Sequence, residues 1–218
     1  MKESFPKFLD SINKSYCSEV PSMIDAHNFV DDLIHLLFPI RINKNISLQE
    51  IEIRLERMQL RLKELLIPLQ SVLTKEPSVI SEDFFLKIPE IYKVLLKDAD
   101  VFYKSDPAAS CVEEVILSYP GFYSLSTYRL ANILYKLKVP VLPRVMAEYI
   151  HGKTGIDIHP GADIGEDFFM DHGTGIVIGE TTIIGNNVKI YQGVTLGAIY
   201  VEKKLKNSKR HPTIEDNV

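Results

Sequence analysis

Residues 158–197 read IHPGADIGEDFFMDHGTGIVIGETTIIGNNVKIYQGVTLG and contain the repeat that decides the fold. Aliphatic or methionine side chains recur every six residues, in two series separated by a two-residue slip: Ile158, Ile164, Met170 and Ile176, then Ile178, Ile184, Ile190 and Leu196. Glycine follows four of them directly, at Gly165, Gly179, Gly185 and Gly197. A six-residue period differs from the 3.6-residue period of a helix and is too regular for a hairpin meander. The pattern predicts stacked β-helical coils. It disfavours the alternative, a buried parallel-strand region with coincidental glycines, because the glycines keep phase with the aliphatic residues.

The repeat lapses after residue 198 and resumes at Ile214 and Val218. The intervening loop, residues 199–209, is polar and basic, with lysines at Lys203, Lys204, Lys206 and Lys209. Such a charge run is usually a solvated surface, although a basic loop also suits a phosphate-bearing cofactor. Since the chain stops just as a coil begins, we expect the β-structure to be incomplete at its C-terminal end.

The chain before the repeat has helical patterning. Ser47 and Glu50 form a capping-box sequence, and apolar residues then follow at helical spacing to about Ile67. Further helices are predicted over residues 5–16, 23–37, 81–105, 123–137 and 142–150, and Gly152 and Gly155 end the helical part. The predicted fold class is α+β, with an all-helical N-terminal domain at 1–155 and a β-domain at 156–218.

Composition restricts the function classes. The 25 Lys and Arg against 29 Asp and Glu give a formal net charge of −4 without a long single-sign block, so we expect no nucleic-acid partner. No window approaches the roughly 18 apolar residues of a membrane span, and the first residues lack a signal-peptide core, so we expect no membrane association and a cytoplasmic location. Cys17 and Cys111 lack metal-ligand spacing and are interpreted as free thiols.

The polar pair Asp171 and His172 interrupts the aliphatic repeat, and the glycines that follow it leave room for a ligand. Histidine is the side chain whose ordinary pKa best suits proton transfer near neutrality. The residues alone leave open a simpler interpretation, a surface histidine at a turn.

Four ordered motifs resemble the bacterial serine O-acetyltransferase family. They are GIDIHP at residues 155–160, MDHGTGIVIGET at 170–181, QGVTLG at 192–197 and RHP at 210–212. A weaker similarity extends upstream through Asp98, Asp106-Pro107-Ala108 and Tyr128-Arg129, so that the resemblance covers roughly residues 90–218. Residues 1–90 match only in being helical.

The resemblance implies transfer of acetyl from acetyl-CoA to the hydroxyl of L-serine, giving O-acetyl-L-serine for cysteine biosynthesis. It also implies a left-handed parallel β-helix as the fold of the second domain. His172 would be the general base and Asp157 the carboxylate that supports it. If each coil has three six-residue sides, the two residues lie three positions out of register, or about 10 Å along the strand. Contact would therefore need a bent corner near Gly173 or the two-residue slip beyond it.

The remaining site residues also follow from the resemblance. Arg210 would bind the serine carboxylate, Asp106 and Asp171 would receive the ammonium, and His211 would line the pocket. Only Gly197 and Ala198 remain as backbone candidates for acetyl-CoA binding, and no metal is expected. The family implies a homotrimer or a dimer of trimers, with each site between two subunits. A cysteine synthase complex is not predicted, because the C-terminal isoleucine tail of some relatives is absent.

Two departures leave alternatives open. The loop before Arg210 is longer and more basic than in the family, with Lys209 where aspartate often stands, which leaves loop closure and cysteine feedback open. The short β-domain allows an inactive fragment that retains the oligomerisation domain. A third possibility is a hexapeptide-repeat acetyltransferase with another hydroxyl acceptor, such as a sugar. The segments Asp157-Ile158-His159 and Arg210-His211 favour serine over a sugar, because a free amino acid offers a carboxylate to bind.

Overall fold

The computed structural model describes residues 4–15, 20–42, 46–198 and 208–218. The helices are α1 (Phe5–Ser15), α2 (Met23–Leu37), α3 (Leu48–Leu66), α4 (Pro77–Ser105), α5 (Val112–Ser118), α6 (Pro120–Lys136) and α7 (Leu142–Thr154). Short 3-10 helices cover Pro39–Ile42 and Ile67–Val72. Cys17 and most of the basic loop lie outside the described residues, whereas Cys111 is an exposed free thiol. A helical N-terminal region is confirmed.

The helix boundaries agree with the sequence at several ends, but α4 begins at Pro77 rather than near Ser81, and α6 at Pro120 rather than at Tyr123. The Ser47 side chain accepts a hydrogen bond from the backbone N–H of Glu50 at 3.2 Å, as the capping sequence predicts. Helix α5 was not predicted, because its seven residues are too few for an apolar period to be detected. Gly152 lies inside α7 rather than at its end, and Gly155 alone follows the helix.

Eight short strands follow the helices. They are β1 (Asp157–Ile158), β2 (Asp163–Ile164), β3 (Phe169–Asp171), β4 (Val177–Ile178), β5 (Ile183–Ile184), β6 (Lys189–Tyr191), β7 (Thr195–Leu196) and β8 (Thr213–Ile214). Consecutive strands enter three parallel sheets in turn, in the orders β1-β4-β7, β2-β5-β8 and β3-β6. The apolar residues of the six-residue repeat align and are buried, as in the pairings Ile158↔Ile178 and Ile178↔Leu196. The predicted resumption at Ile214 is confirmed by its pairing with Ile184.

The first circuit through the three sheets is longer than the sequence analysis assumed. Asp157 pairs with Val177, twenty residues on, whereas Val177 pairs with Thr195, eighteen residues on. The two additional residues lie between β3 and β4, where Ile176 is buried but belongs to no strand. The predicted three-residue offset between Asp157 and His172 is therefore wrong, since His172 precedes the register partner of Asp157 by five residues.

A buried ion pair joins the helical region to the strands. Arg129 of α6 donates to both carboxylate oxygens of Asp98 of α4, at 2.6 and 3.0 Å, and both side chains are almost fully buried. The same guanidinium donates to the carbonyls of Ile164 and Gly165, at 3.2 and 2.8 Å. The two helices are thus fixed against the end of β2, and one continuous apolar core runs through both regions.

None of the helices in the described part of the chain is both long enough and apolar enough to cross a membrane.

Candidate active site

The predicted base His172 lies at a sharp corner between β3 and β4, residues 172–175, which we call the histidine corner. Its backbone is left-handed, with φ of 55°, and its side chain is 75% exposed. The corner is held against the end of α7, because the N–H of Gly175 donates to the carbonyl of Gly155 at 2.8 Å. A polar residue that interrupts the apolar repeat is therefore presented to solvent by the fold.

Gly173 makes this corner possible. Its φ of 87° lies in the left-handed region, and a Cβ atom placed on it would lie 2.4 Å from Cδ1 of the buried Ile156. Any other residue at this position would pay for the left-handed conformation, which costs an L-residue about 1–2 kcal/mol. Its Cβ atom would also clash with Ile156. The position of His172 thus depends on the absence of a side chain at the next residue.

One open pocket contains His172, Asp171 and Asp106, together with Tyr119 and Thr174. The Nε2 atom of His172 lies 3.9 Å from Oδ2 of Asp171. Asp106 follows α4, and its carboxylate is brought to the pocket by the turn after that helix. Three of the residues predicted from the sequence are therefore brought together within one chain.

The Asp106 carboxylate is held on both oxygens. Oδ2 accepts a hydrogen bond from the Tyr119 hydroxyl at 2.6 Å, and Oδ1 accepts one from the N–H of Ala108 at 2.8 Å. The hydrogen bond from Tyr119, followed by the one from Ala108, holds the pKa of Asp106 below its usual value. The site therefore presents a fixed negative charge, which suits an ammonium group.

Asp157, the predicted partner of His172, lies at the start of β1 with different neighbours. Among the described residues no hydrogen bond or ion pair joins Asp157 to His172. The Asp157 carboxylate instead lies near Glu148 and His151 of α7. The side-chain atoms of these three residues that could bind a metal are all within 4.8 Å of one another. The Nδ1 atom of His151 is 3.0 Å from Glu148, and Glu148 also pairs with Arg144. The Asp157 carboxylate therefore lies beside these α7 side chains.

Arg210 and His211 precede β8 in the chain and pack against a different corner, the turn that joins β4 to β5. The Arg210 guanidinium donates to Oε2 of Glu180, whose Oε1 accepts the Tyr135 hydroxyl at 2.8 Å. The Nδ1 atom of His211 accepts the N–H of Thr181 at 3.0 Å. The structure thus brings these two predicted residues together, but at a separate corner from His172.

His211 is packed tightly into its corner. A Cβ atom on Gly179 would lie 2.1 Å from Cδ2 of the imidazole, so only glycine leaves room for the ring. Burial, followed by the neighbouring Arg210 charge, lowers the pKa of His211. The ring is therefore neutral near pH 7, with Nδ1 as acceptor and Nε2 carrying the proton.

Lys209, the last residue of the predicted basic loop, lies beside this second corner. Its ammonium donates to three backbone carbonyls, those of Thr181 at 2.8 Å, His211 at 2.5 Å and Pro212 at 3.0 Å. Gly197 and Ala198, the predicted acetyl-CoA contacts, follow β7 and are half-buried. Lys203, Lys204 and Lys206 lie outside the described residues.

Three neighbours of the site were not predicted from the sequence: Tyr119 bonds to Asp106, Glu180 bonds to Arg210, and Tyr135 bonds to Glu180. Glu180 stands within a quoted motif, so its proximity to the site could have been inferred, but its contact with Arg210 spans thirty residues. Tyr119 and Asp106 are thirteen residues apart, with α5 between them. No periodicity in a single sequence relates such positions.

Comparisons with known proteins identify the family. No family model matches the chain. The chain is 48% identical over 146 residues to a Synechococcus elongatus protein named "Serine acetyltransferase, plasmid", covering 65% of this chain and 46% of that protein. Its fold matches a crystal structure of Entamoeba histolytica serine acetyltransferase 1 with L-cysteine at a TM-score of 0.77 and 35% identity, over 86% of this chain and 71% of that one.

The chain belongs to the serine acetyltransferase family. It also matches soybean serine acetyltransferase complexed with serine, at a TM-score of 0.56 and 33% identity, over 64% of this chain and 56% of that one. The chain spans about half the length of the curated serine acetyltransferases it matches. The helical region followed by short parallel strands is therefore the arrangement found in serine acetyltransferase structures.

Proposed function

We propose that this chain transfers the acetyl group of acetyl-CoA to the hydroxyl of L-serine, giving O-acetyl-L-serine for cysteine biosynthesis. The observation that carries the proposal is the pocket in which an exposed imidazole, His172, lies beside two carboxylates, Asp106 and Asp171. Family membership supports it. A base next to an anionic recess suits an acceptor that combines a hydroxyl with an ammonium.

His172 would act as the general base. As the serine oxygen forms a bond to the thioester carbon, the imidazole takes the hydroxyl proton. When the carbon–sulfur bond of the tetrahedral intermediate breaks, the imidazolium returns that proton to the departing thiolate, so charge and atoms balance. Asp157 would support the imidazolium, which requires the histidine corner to bend towards β1 when substrate binds.

The ammonium and the carboxylate of the acceptor amino acid would each be bound by residues of the site. Asp106 and Asp171 would bind the ammonium, and Arg210 the carboxylate through its two-pronged guanidinium, with His211 lining the pocket. Relatives support an amino acid of this size, since the soybean enzyme was solved with serine and an Entamoeba histolytica enzyme with L-cysteine. A sugar acceptor has no carboxylate to offer Arg210.

The strands would form a left-handed parallel β-helix, and the active unit would be a homotrimer or a dimer of trimers. Support comes from the two corners described above, because His172 follows β3 whereas Arg210 packs between β4 and β5. A threefold arrangement would bring the first corner of one copy to the second corner of its neighbour. Acetyl-CoA would contact the backbone of Gly197 and Ala198 beside this junction.

The test is release of free thiol from acetyl-CoA by this 218-residue chain, with and without L-serine. We expect release that depends on serine and saturates with it. Release with sugars alone would favour an acetyltransferase with another hydroxyl acceptor. No release with any acceptor would contradict the proposal and favour an inactive fragment that retains the oligomerisation domain.

A further inference from the structure

Tyr119 lines the pocket of His172, yet the proposed function gives it no role. It is the half-buried residue between α5 and α6, and Pro120 follows it as the first residue of α6. Its ring meets the buried ring of Phe102 edge to face, with centroids 6.3 Å apart. The backbone and the ring are thus both fixed, so that the hydroxyl has a defined position.

That hydroxyl is bonded to the carboxylate proposed to receive the serine ammonium. It donates to Oδ2 of Asp106 at 2.6 Å, while the N–H of Ala108 donates to Oδ1 at 2.8 Å. A carboxylate oxygen accepts about two hydrogen bonds, so each oxygen keeps one position for a further donor. If the bond from Ala108 were the only one, the carboxylate could rotate about the Cβ–Cγ bond of Asp106.

We propose that Tyr119 is a positioning residue for the acceptor amino acid, holding Asp106 in the orientation that binds the ammonium. The inference rests on the proposed function, since it presupposes that Asp106 meets an amino acid. It deepens that function by assigning part of the acceptor affinity to a residue that touches Asp106.

The electrostatics of the pocket agree with this role. The hydrogen bond to Asp106 raises the pKa of Tyr119 to about 12, so the phenol is neutral and donates throughout the physiological range. The charged and titratable groups that face this pair are His172, Asp171 and Glu114. A neutral donor orients the carboxylate without cancelling its charge, whereas lysine or arginine in this place would compete with the substrate ammonium.

The test is Tyr119→Phe, which removes the hydroxyl and keeps the ring against Phe102. We expect the KM for L-serine to rise about tenfold, with kcat within about twofold and the KM for acetyl-CoA unchanged, because a lost binding contact acts on KM alone. Calorimetric titration with L-serine should show the same weakening without any turnover. Thermal unfolding of the variant checks that it is folded.

Tyr149→Phe is the matched control, because the Tyr149 hydroxyl also donates to a carboxylate, Oδ2 of Asp31, at 2.5 Å. That bond lies in the helical region, so the KM for serine should not change. An unchanged serine affinity in Tyr119→Phe, an equal rise in Tyr149→Phe, or a fall in kcat with KM constant would each overturn the inference. A wild-type chain that binds serine without acetylating it would overturn the proposed function instead.

Discussion

Gly173 determines where His172 lies, because it turns the chain immediately after the imidazole. We predict that Gly173→Ala lowers stability by at least about 1–2 kcal/mol, the cost of a left-handed alanine, with a further cost from its contact with Ile156. Acetyl transfer should fall as well, since the corner that carries His172 must shift. Thermal unfolding and the thiol-release assay measure the two effects.

Gly152→Ala is the control for that change. Gly152 lies within α7. Apart from the backbone of its own helix, no described atom lies within 4 Å of the position that a Cβ atom would take. Alanine should therefore stabilise the helix by about 0.5–1 kcal/mol. The account of the corner is wrong if Gly173→Ala is as stable and as active as Gly152→Ala.

Some site residues could be predicted from the sequence and others could not. Asp171 and His172 were detectable because they are ionisable residues in an aliphatic repeat. The contact of Glu180 with Arg210 was not, because the two residues are thirty positions apart and meet only in the folded chain. The neighbours of Asp157 also depend on tertiary structure, since α7 brings Glu148 and His151 to it.

Helices α4 and α6 are joined to β2 by the buried pair of Asp98 and Arg129, so this pair should contribute strongly to stability. We predict that Arg129→Met destabilises the protein by about 3–5 kcal/mol, because it leaves a buried carboxylate without its cation. Arg129→Lys should have an intermediate effect, since one ammonium cannot replace a bidentate guanidinium. Urea unfolding followed by circular dichroism measures both.

Lys97→Ala provides the comparison, because Lys97 pairs with Glu166 between the same two regions but in solvent. The urea midpoint of this variant should equal that of the wild type. If Arg129→Met unfolds at the same midpoint as Lys97→Ala, the buried pair is not what joins the helices to the strands.

Helices α2, α6 and α7 meet at Asp31. Burial would raise the pKa of Asp31, but hydrogen bonds from Tyr123, Tyr149 and Lys153 outweigh it and hold the pKa below the usual 3.8. A carboxyl with a lowered pKa contributes stability above its usual pKa and loses it as the pH falls through the folded value. We therefore predict that Asp31→Asn is less stable than wild type at about pH 6, and that the difference shrinks towards about pH 3. A difference in unfolding free energy that does not vary with pH would contradict this.

Among the secondary-structure elements, the strands of the repeat could be predicted from the sequence, whereas α5 and the shape of the histidine corner could not. The aliphatic residues of the repeat had to face one core, so their period indicated the strands and their pairing. Helix α5 is too short to have a period, and its position follows from packing against α4. The sequence indicated the histidine corner by a two-residue slip and a possible bend near Gly173, but its shape depends on left-handed backbone at His172 and Gly173.

The whole molecule should need neighbouring copies, since the two groups of proposed binding residues lie at different corners of one chain. We predict that inactive His172→Ala and Arg210→Ala chains regain activity when co-refolded. In a random equal mixture each site has an intact His172 and an intact Arg210 in about a quarter of cases, giving about a quarter of wild-type activity. Thiol release by the mixture measures it.

The control mixture is His172→Ala with Asp106→Ala, two residues that share one pocket within a chain. This mixture should remain inactive, because no site then receives both intact side chains. Recovery in the control, or none in the first mixture, would contradict a site built from the corners of two copies.

In the proposed function, His172 is the base that lets this chain move an acetyl group onto the serine oxygen. The most direct measurement uses acetyl-CoA labelled with carbon-13 at the acetyl carbonyl and follows the label by NMR in the presence of L-serine. The account predicts a labelled O-ester of serine with the wild-type chain and a rate at least about 100-fold lower with His172→Ala. His35→Ala, which alters a histidine of α2, should leave the rate unchanged. No serine ester with the wild type, or equal rates for wild type and His172→Ala, would contradict it.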